Sequence, residues 1–482
     1  MTSRKPPEVS PPPGVEKVST GISGLDNVLR GGLPRGAITL LSGGPGSGKT
    51  LLGLEFLVRG AMSGNPGIMV TFEERDSDLR RYTAAFGWDL PALEAQNRLR
   101  LISARIRPDA VYSGGFDLGG ILGILRQKID EIQAQRILID APDIFLRLLD
   151  DITKERTELY TLNEWLRDAA MTAIVTVKSD DRKNAWSSNY DFLEYLADCV
   201  IHLDQRVMEQ VTTRRLRVAK YRGSGFGRNE YPFAITDRGL WVIPVTQTSL
   251  QHRALGESMP SGVEGLDVLL GGGYRRCACT LISGSSGTGK TTFACLFAED
   301  AVKRGERVLY LNFEESWNAL VSCMISPGIA MQAAKDSGRL RFVSVMPESQ
   351  GVEEHLIMAF RIIEAFQPDH LMVDAISACR RMGSSHAAFD YLLRLTGHCK
   401  ERGITTLLTN LTAAGKADEI TGIDLSSIID TVIILRNVER QGAYHREIGI
   451  LKSRGRSHSS QVHRFKITDH GIRIASQEAD HA

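Results

Sequence analysis

The sequence predicts an α/β protein built of two tandem domains, each a mostly parallel sheet flanked by helices, and three observations lead there. A phosphate-binding loop of the form G-x-x-x-x-G-K-[ST] occurs twice, Gly43 to Thr50 and Gly284 to Thr291. The self-similarity extends well past the loops: one common shift carries Gly21 onto Gly262, Lys49 onto Lys290 and Phe72 onto Phe313. Short β-rich runs also alternate with helical stretches inside each copy, the pattern of a sheet whose nucleotide lies at the carboxyl ends of its strands.

In the first copy, 37–42 is the strand entering the loop, 50–61 the helix leaving it, and 67–72 and 136–140 are further strands. Loop-length differences account for the small drift in the shift, since 136–140 corresponds to 370–374 and Lys220 to Lys452. The domains are expected at 14–247 and 248–482, joined by a polar linker near 245–257. Residues 1–13, with Pro6, Pro7, Pro11, Pro12 and Pro13, are expected to be a disordered tail.

Bulk composition excludes several classes. Charged residues make up 24% and hydrophobic residues 42%, and the net charge is +1, so nothing points to nucleic acid as the primary partner. No apolar run is long enough to span a membrane. The seven cysteines form no CxxC and no zinc-spaced cluster; without a signal peptide, the odd count predicts a reducing, cytoplasmic setting. Cys277 and Cys279 are expected to pack as small hydrophobes on the strand before the second loop.

In each loop the backbone N–H groups would cradle phosphates, the lysine would reach the β- and γ-phosphates, and the hydroxyl would ligate Mg²⁺. The ATP-binding set is therefore Gly43, Gly46, Ser47, Gly48, Lys49 and Thr50, with Gly284, Gly287, Thr288, Gly289, Lys290 and Thr291. An apolar run ending in aspartate is often a plain strand end. Downstream of a phosphate loop in both copies, Asp140 and Asp374 read instead as supports of the Mg²⁺ shell beside Thr50 and Thr291.

The pairs Glu73-Glu74 and Glu314-Glu315 each close the first apolar strand after the loop helix. Two acids at a strand end are also a good solvated terminus, but the recurrence of Phe-Glu-Glu at one distance from both lysines favours catalysis. There a carboxylate polarises the group attacking the γ-phosphate. This placement gives two RecA-like P-loop NTPase domains rather than a nucleoside kinase or a Ras-like GTPase.

A third constellation, Lys220 and Arg222 with Lys452 and Arg454, alternates along β-like runs so that both cations of a pair share one face. Such residues serve ring ATPases as fingers reaching the neighbouring subunit's γ-phosphate. They equally suit a solvated edge strand.

Together these segments resemble the KaiC family of tandem RecA-like ATPases, from about Gly14 to Ala475. The resemblance is carried by Ser23-Gly24-Leu25-Asp26, the double Phe-Glu-Glu, Phe86-Gly87-Trp88-Asp89-Leu90, Gly115-Phe116-Asp117-Leu118, Pro347-Glu348-Ser349 and the paired Lys-x-Arg-Gly segments. It implies a homohexamer of two stacked rings with ATP and Mg²⁺ at subunit interfaces, slow hydrolysis in the first ring, and serine/threonine autokinase activity in the second. It also implies that Ser224 and His458 belong with the fingers as sensors, Ser224 standing where the family often has threonine. Arg456 stands where a small residue is usual.

The family's phosphoacceptors are adjacent hydroxyl residues before an Asp-Thr and an apolar strand. Ser426 and Ser427 fall there, ahead of Asp430-Thr431, and the first copy has Glu194 and Tyr195 instead. Autokinase activity is accordingly expected in the second domain alone. A KaiB-like partner on the first ring follows from the resemblance. A KaiA-type activator is not expected, because the chain stops soon after the last strand. Two other classes stay open: a RecA- or replicative-helicase-like nucleic-acid motor, and a scaffold whose ATP turnover merely sets a shape.

Overall fold

The computed structural model describes residues 15–104, 118–146, 152–178, 187–208, 211–243, 253–412 and 428–475. The tail expected over 1–13 and the serines Ser426 and Ser427 lie outside them, as does most of the expected linker. The chain divides into two compact units, residues 1–207 with 212–247 and residues 248–482 with the short segment 208–211.

In the first unit, β1 (Lys17–Val18) and β2 (Leu33–Pro34) form a small antiparallel ribbon. The main sheet comprises β3 (Ile38–Gly43), β4 (Gly67–Thr71), β5 (Leu99–Ser103), β6 (Arg136–Asp140), β7 (Thr172–Lys178), β8 (Cys199–Met208), β9 (Val211–Tyr221), β10 (Glu230–Thr236) and β11 (Gly239–Val242). Their order is β11-β10-β9-β8-β3-β7-β6-β4-β5. β3 runs parallel to β7 and β8, and β4 to β5 and β6, while β9, β10 and β11 pair antiparallel.

Both faces of the parallel strands are covered, which is why these strands read as continuous apolar runs. Leu41, Met69, Leu138 and Ile174 point into one core shared with the helix Lys49–Met62. Their alternating neighbours Leu40, Ile68, Val70, Ile137 and Ile139 point into the other, under the helices Leu118–Ile132 and Ile152–Asp168. The loop helix lies close on the sheet: a Cβ added at Gly53 would sit 2.5 Å from Leu138 Cδ1. That close approach fixes the height of the loop above β6.

The second unit repeats this plan. β12 (Ser258–Met259) and β13 (Tyr274–Arg275) form the ribbon. The main sheet comprises β14 (Cys279–Gly284), β15 (Val308–Asn312), β16 (Leu340–Ser344), β17 (His370–Asp374), β18 (Thr405–Leu411), β19 (Thr431–Arg440), β20 (Ala443–Ser453), β21 (Val462–Thr468) and β22 (Gly471–Ile474). They are ordered β16-β15-β17-β18-β14-β19-β20-β21-β22. Each unit is therefore a nine-stranded, mostly parallel α/β sheet flanked by helices. Among the described residues no helix is long and apolar enough to cross a membrane.

One expectation is corrected. Cys279 is buried on β14, but Cys277 precedes the strand with φ 62°, and its Sγ–H donates to the Gly403 carbonyl at 3.4 Å. A left-handed residue cannot continue the pleat, so the strand begins only after it.

Candidate functional site

Each loop joins the carboxyl end of the central strand to the first turn of a helix, β3 to Lys49–Met62 and β14 to Lys290–Lys303. The residues before those helices, Gly48 and Gly289, have φ 95° and 97°, a conformation that only glycine adopts without strain and that turns successive N–H groups inward. In the first loop Lys49 Nζ donates to the carbonyls of Gly43 (2.7 Å) and Gly44 (2.9 Å); in the second, Lys290 Nζ donates to Ser285 O at 2.9 Å. Burial lowers the pKa of both lysines, opposed by the nearby Asp140 and Asp374 carboxylates.

The aspartates sit at the ends of β6 and β17, each followed by a cis peptide to Ala141 or Ala375. Asp140 Oδ2 accepts from Thr50 Oγ1 at 2.8 Å, and Oδ1 accepts from Thr176 Oγ1 on β7. Asp374 Oδ1 accepts from Thr409 Oγ1 on β18 in the same way, whereas its Oδ2 accepts from Tyr310 Oη at 2.8 Å. Burial raises the Asp140 pKa, and the two threonine hydroxyls oppose that shift.

Beyond β4, the Thr71 hydroxyl accepts from the backbone N–H groups of Glu73 (3.3 Å) and Glu74 (3.0 Å); in the second unit Asn312 Oδ1 does so for Glu314 (2.8 Å) and Glu315 (2.6 Å). The last residue of the strand thus turns the acid pair back over the sheet. Glu73 reaches Lys178 Nζ at 3.6 Å, while Glu74 Oε2 is buried without a hydrogen-bond partner among the described residues. The Glu74 pKa is raised by burial and then by the Asp140 and Glu73 charges, and those of Glu314 and Glu315 by burial and Asp374.

Loop lysine, hydroxyl-bearing first turn, strand-end aspartate and acid pair therefore gather at the carboxyl ends of the parallel strands in both units. The cation pairs do not join them. Arg222 N donates to Asp198 O, and Asp198 N to Ile38 O, which puts Arg222 level with the start of β3. Arg454, Asp430 and Cys279 repeat that alignment at β14. The loop begins at the other end of the strand, about 16 Å away at 3.3 Å per residue.

Lys220 Nζ instead donates to the carbonyls of Glu194 (2.7 Å) and Tyr195 (3.0 Å), and Arg222 to Tyr195 O (2.7 Å), at the last turn of the helix Ser187–Leu196. Lys452 Nζ donates to Ile429 O at 2.8 Å, and Arg454 lies 3.4 Å from Asp430. Ser224 Oγ donates to Gly225 O, and His458 Nδ1 lies 2.9 Å from Ser459 O.

Sequence reasoning missed Thr176, Thr409, Lys178 and Tyr310, all of which touch the site through strands adjacent to the loop strand or to the aspartate strand. It also missed the buried Asp143, whose charge acts on Lys49. The matched threonines were the one available signal, since both stand at equivalent places in the repeat.

The doubling of the site is matched by a doubled family signature. A family model described as the KaiC ATPase matches residues 18–247 and 259–479. The chain belongs to the KaiC ATPase family. It is 37% identical to the circadian clock protein KaiC2 of Synechocystis sp., over 95% of this chain and 81% of that one. It is 34% identical to the circadian clock protein KaiC3 of the same organism, over 96% and 92%. To the circadian clock oscillator protein KaiC of Prochlorococcus marinus it is 33% identical, over 95% and 93%. Membership of a KaiC ATPase family implies ATP binding and hydrolysis, and the donor set fits: each loop ends in a threonine hydroxyl, and the charge of a strand-end carboxylate acts on its lysine, so hard oxygen ligands suited to Mg²⁺ are at hand.

Proposed function

We propose that this chain is a KaiC-like, ring-forming ATPase of signalling or clock-like regulation whose second domain phosphorylates its own Ser426 and Ser427. The observation that carries the ring is the separation of parts: loop, aspartate and acid pair lie at one end of the sheet, and the cations at the other. A finger that far from its own loop acts only on a neighbour's, so catalysis needs a closed ring of protomers, a hexamer by family resemblance, with ATP at each interface.

In each site Lys49 or Lys290 leaves the loop carbonyls to neutralise the β- and γ-phosphates, and the loop N–H groups orient them. Mg²⁺, when bound, neutralises charge on the phosphate oxygens. Thr50 and Thr291, with Asp140 and Asp374 behind them, would hold it. Glu74 takes the proton from the attacking water in the first unit, its buried Oε2 having no hydrogen-bond partner among the described residues. In the second unit Glu314 or Glu315 does the same for water or for a serine hydroxyl presented across the interface.

The acceptor assignment is supported by the fingers. Lys220 and Arg222 hold the carbonyls of Glu194 and Tyr195, which stand where the second unit has Ser426 and Ser427. Lys452 likewise holds Ile429 O, two residues beyond Ser427. Lys452 and the Ile429 carbonyl that it holds therefore lie at the end of the sheet that would face a neighbour's nucleotide in a ring, and Ser426 and Ser427, which precede Ile429 in the chain, lie outside the described residues. A KaiB-like partner on the first ring is proposed from the resemblance alone.

Incubation with Mg²⁺-ATP, followed by size measurement and phosphosite mapping, tests both parts. ATP-dependent hexamers carrying phosphate on Ser426 or Ser427 are expected. Persistent monomers would sink the ring, and unmodified serines with intact hydrolysis would sink the autokinase.

A further inference from the structure

The two halves differ at one atom of the metal-shell carboxylate. Asp140 Oδ2 receives the Thr50 hydroxyl at 2.8 Å; Asp374 Oδ2 receives the Tyr310 hydroxyl at the same distance. The strand framework around that atom is shared. Thr176 and Thr409 donate to the other carboxylate oxygen in the two halves. Tyr310 on β15 pairs with Met372 of β17, as Met69 on β4 pairs with Leu138 of β6. The tyrosine therefore occupies a position where the first half has a thioether with no proton to give.

We propose that Tyr310 is a positioning residue of the second site: by donating to Asp374 Oδ2 it competes with Thr291 for that oxygen, so nucleotide binding there needs more Mg²⁺ than at the first site. This rests on the reading of Asp374 as part of the metal shell. A threonine that ligates a cation uses an oxygen lone pair, and its ligand strength rises when its proton is passed to an acceptor behind it. Thr50 has that acceptor in Asp140. Among the described residues Thr291 is not hydrogen-bonded to Asp374.

Tyr310 is well placed to keep the oxygen. It is 0% exposed, Phe342 packs against its ring at 5.4 Å between centroids, and the Cys295 thiol adjoins its hydroxyl. A phenol is protonated at neutral pH, and its O–H here points to the carboxylate as a donor. A phenol donating to a buried carboxylate is a charge-assisted bond, stronger than one between neutral partners.

The test uses the full chain and a fluorescent ATP analogue titrated with Mg²⁺, with the first site disabled by Lys49→Ala. Tyr310→Phe and Tyr310→Met should each lower the Mg²⁺ midpoint for binding at the second site by about ten-fold, the size of one lost outer-shell competitor, and leave binding in EDTA unchanged. Met69→Tyr, with Lys290→Ala disabling the second site, should raise the first site's midpoint. An unchanged or raised midpoint in the Tyr310 variants, with Met69→Tyr silent, overturns the inference while the site reading stands. If Asp374→Asn leaves the Mg²⁺ dependence intact, the site reading fails and the inference with it.

Discussion

Lys178 Nζ lies 3.6 Å from Glu73 Oε1, at the end of β7 where the second unit carries Leu411 at the end of β18. Lys178 pairs in register with Gly43, and Leu411 with Gly284, so each stands beside the first residue of a phosphate loop. The first site thus has a second cation of its own, and its charge is felt by Lys49.

Replacing that cation with the residue of the other half, Lys178→Leu, should weaken binding of a triphosphate analogue at the first site several-fold while changing stability by less than about 1 kcal/mol, since the ion pair is partly exposed. Titration in a Lys290→Ala background isolates the site. An unchanged affinity would show that Lys178 serves only to hold Glu73.

The acid pair of the first unit should divide unequally. Glu73 is engaged by Lys178, whereas Glu74 has a buried carboxylate oxygen with no hydrogen-bond partner among the described residues. Glu74→Gln is expected to lower first-site turnover by about 10²- to 10⁴-fold, the range for a lost general base, with nucleotide affinity retained. Glu73→Gln should cost much less. Equal losses would mean that the pair acts as a unit.

Turnover should fall on the acid side earlier than an ordinary glutamate predicts. Burial raises the pKa of Glu74, Glu314 and Glu315, and a base works only when deprotonated. Hydrolysis is therefore lost as pH drops through values above the usual glutamate figure of about 4.3. Stability moves the other way at these groups: the folded state takes up protons more readily than the unfolded chain, so acidification through that window favours folding. A pH–rate profile paired with denaturation midpoints separates the two.

Thr176→Val removes the buried donor to Asp140 Oδ1 and leaves that oxygen unpaired. The expected cost is about 1–3 kcal/mol in the stability of the first unit, with a raised Mg²⁺ requirement at its site. Thr409→Val should do the same at Asp374, which chemical denaturation of the full chain can follow.

Complementation addresses the fingers, in a Lys290→Ala background that silences the second ring. Lys49→Ala protomers have intact fingers, and protomers carrying Lys220→Ala and Arg222→Ala have intact first loops. Each alone should be inactive, and mixing them should restore part of the turnover. A mixture as inactive as its parts would place the fingers outside catalysis.

The local parts of this protein were legible in the chain itself. Each loop, Glu73-Glu74, Glu314-Glu315 and the strand-ending Asp140 and Asp374 announce themselves because a few consecutive residues set their backbone geometry, and the repeat states each of them twice. Strand order is not written in any such run. That β7 lies between β3 and β6 brings Thr176 to Asp140 and sets Lys178 within reach of Glu73, and the pairing beyond β3 sets Arg222 level with the start of that strand, away from the loop. Likewise β15 must lie against β17 before Tyr310 can reach Asp374. Such contacts join residues dozens of positions apart, so they exist only once the cores on the two faces have fixed which strand sits beside which. By itself the sequence determined that the chain has two nucleotide loops with their acids. The tertiary structure decided how the two sites differ around their own acids, because Lys178, Leu411 and Tyr310 reach them from neighbouring strands and not from the loops.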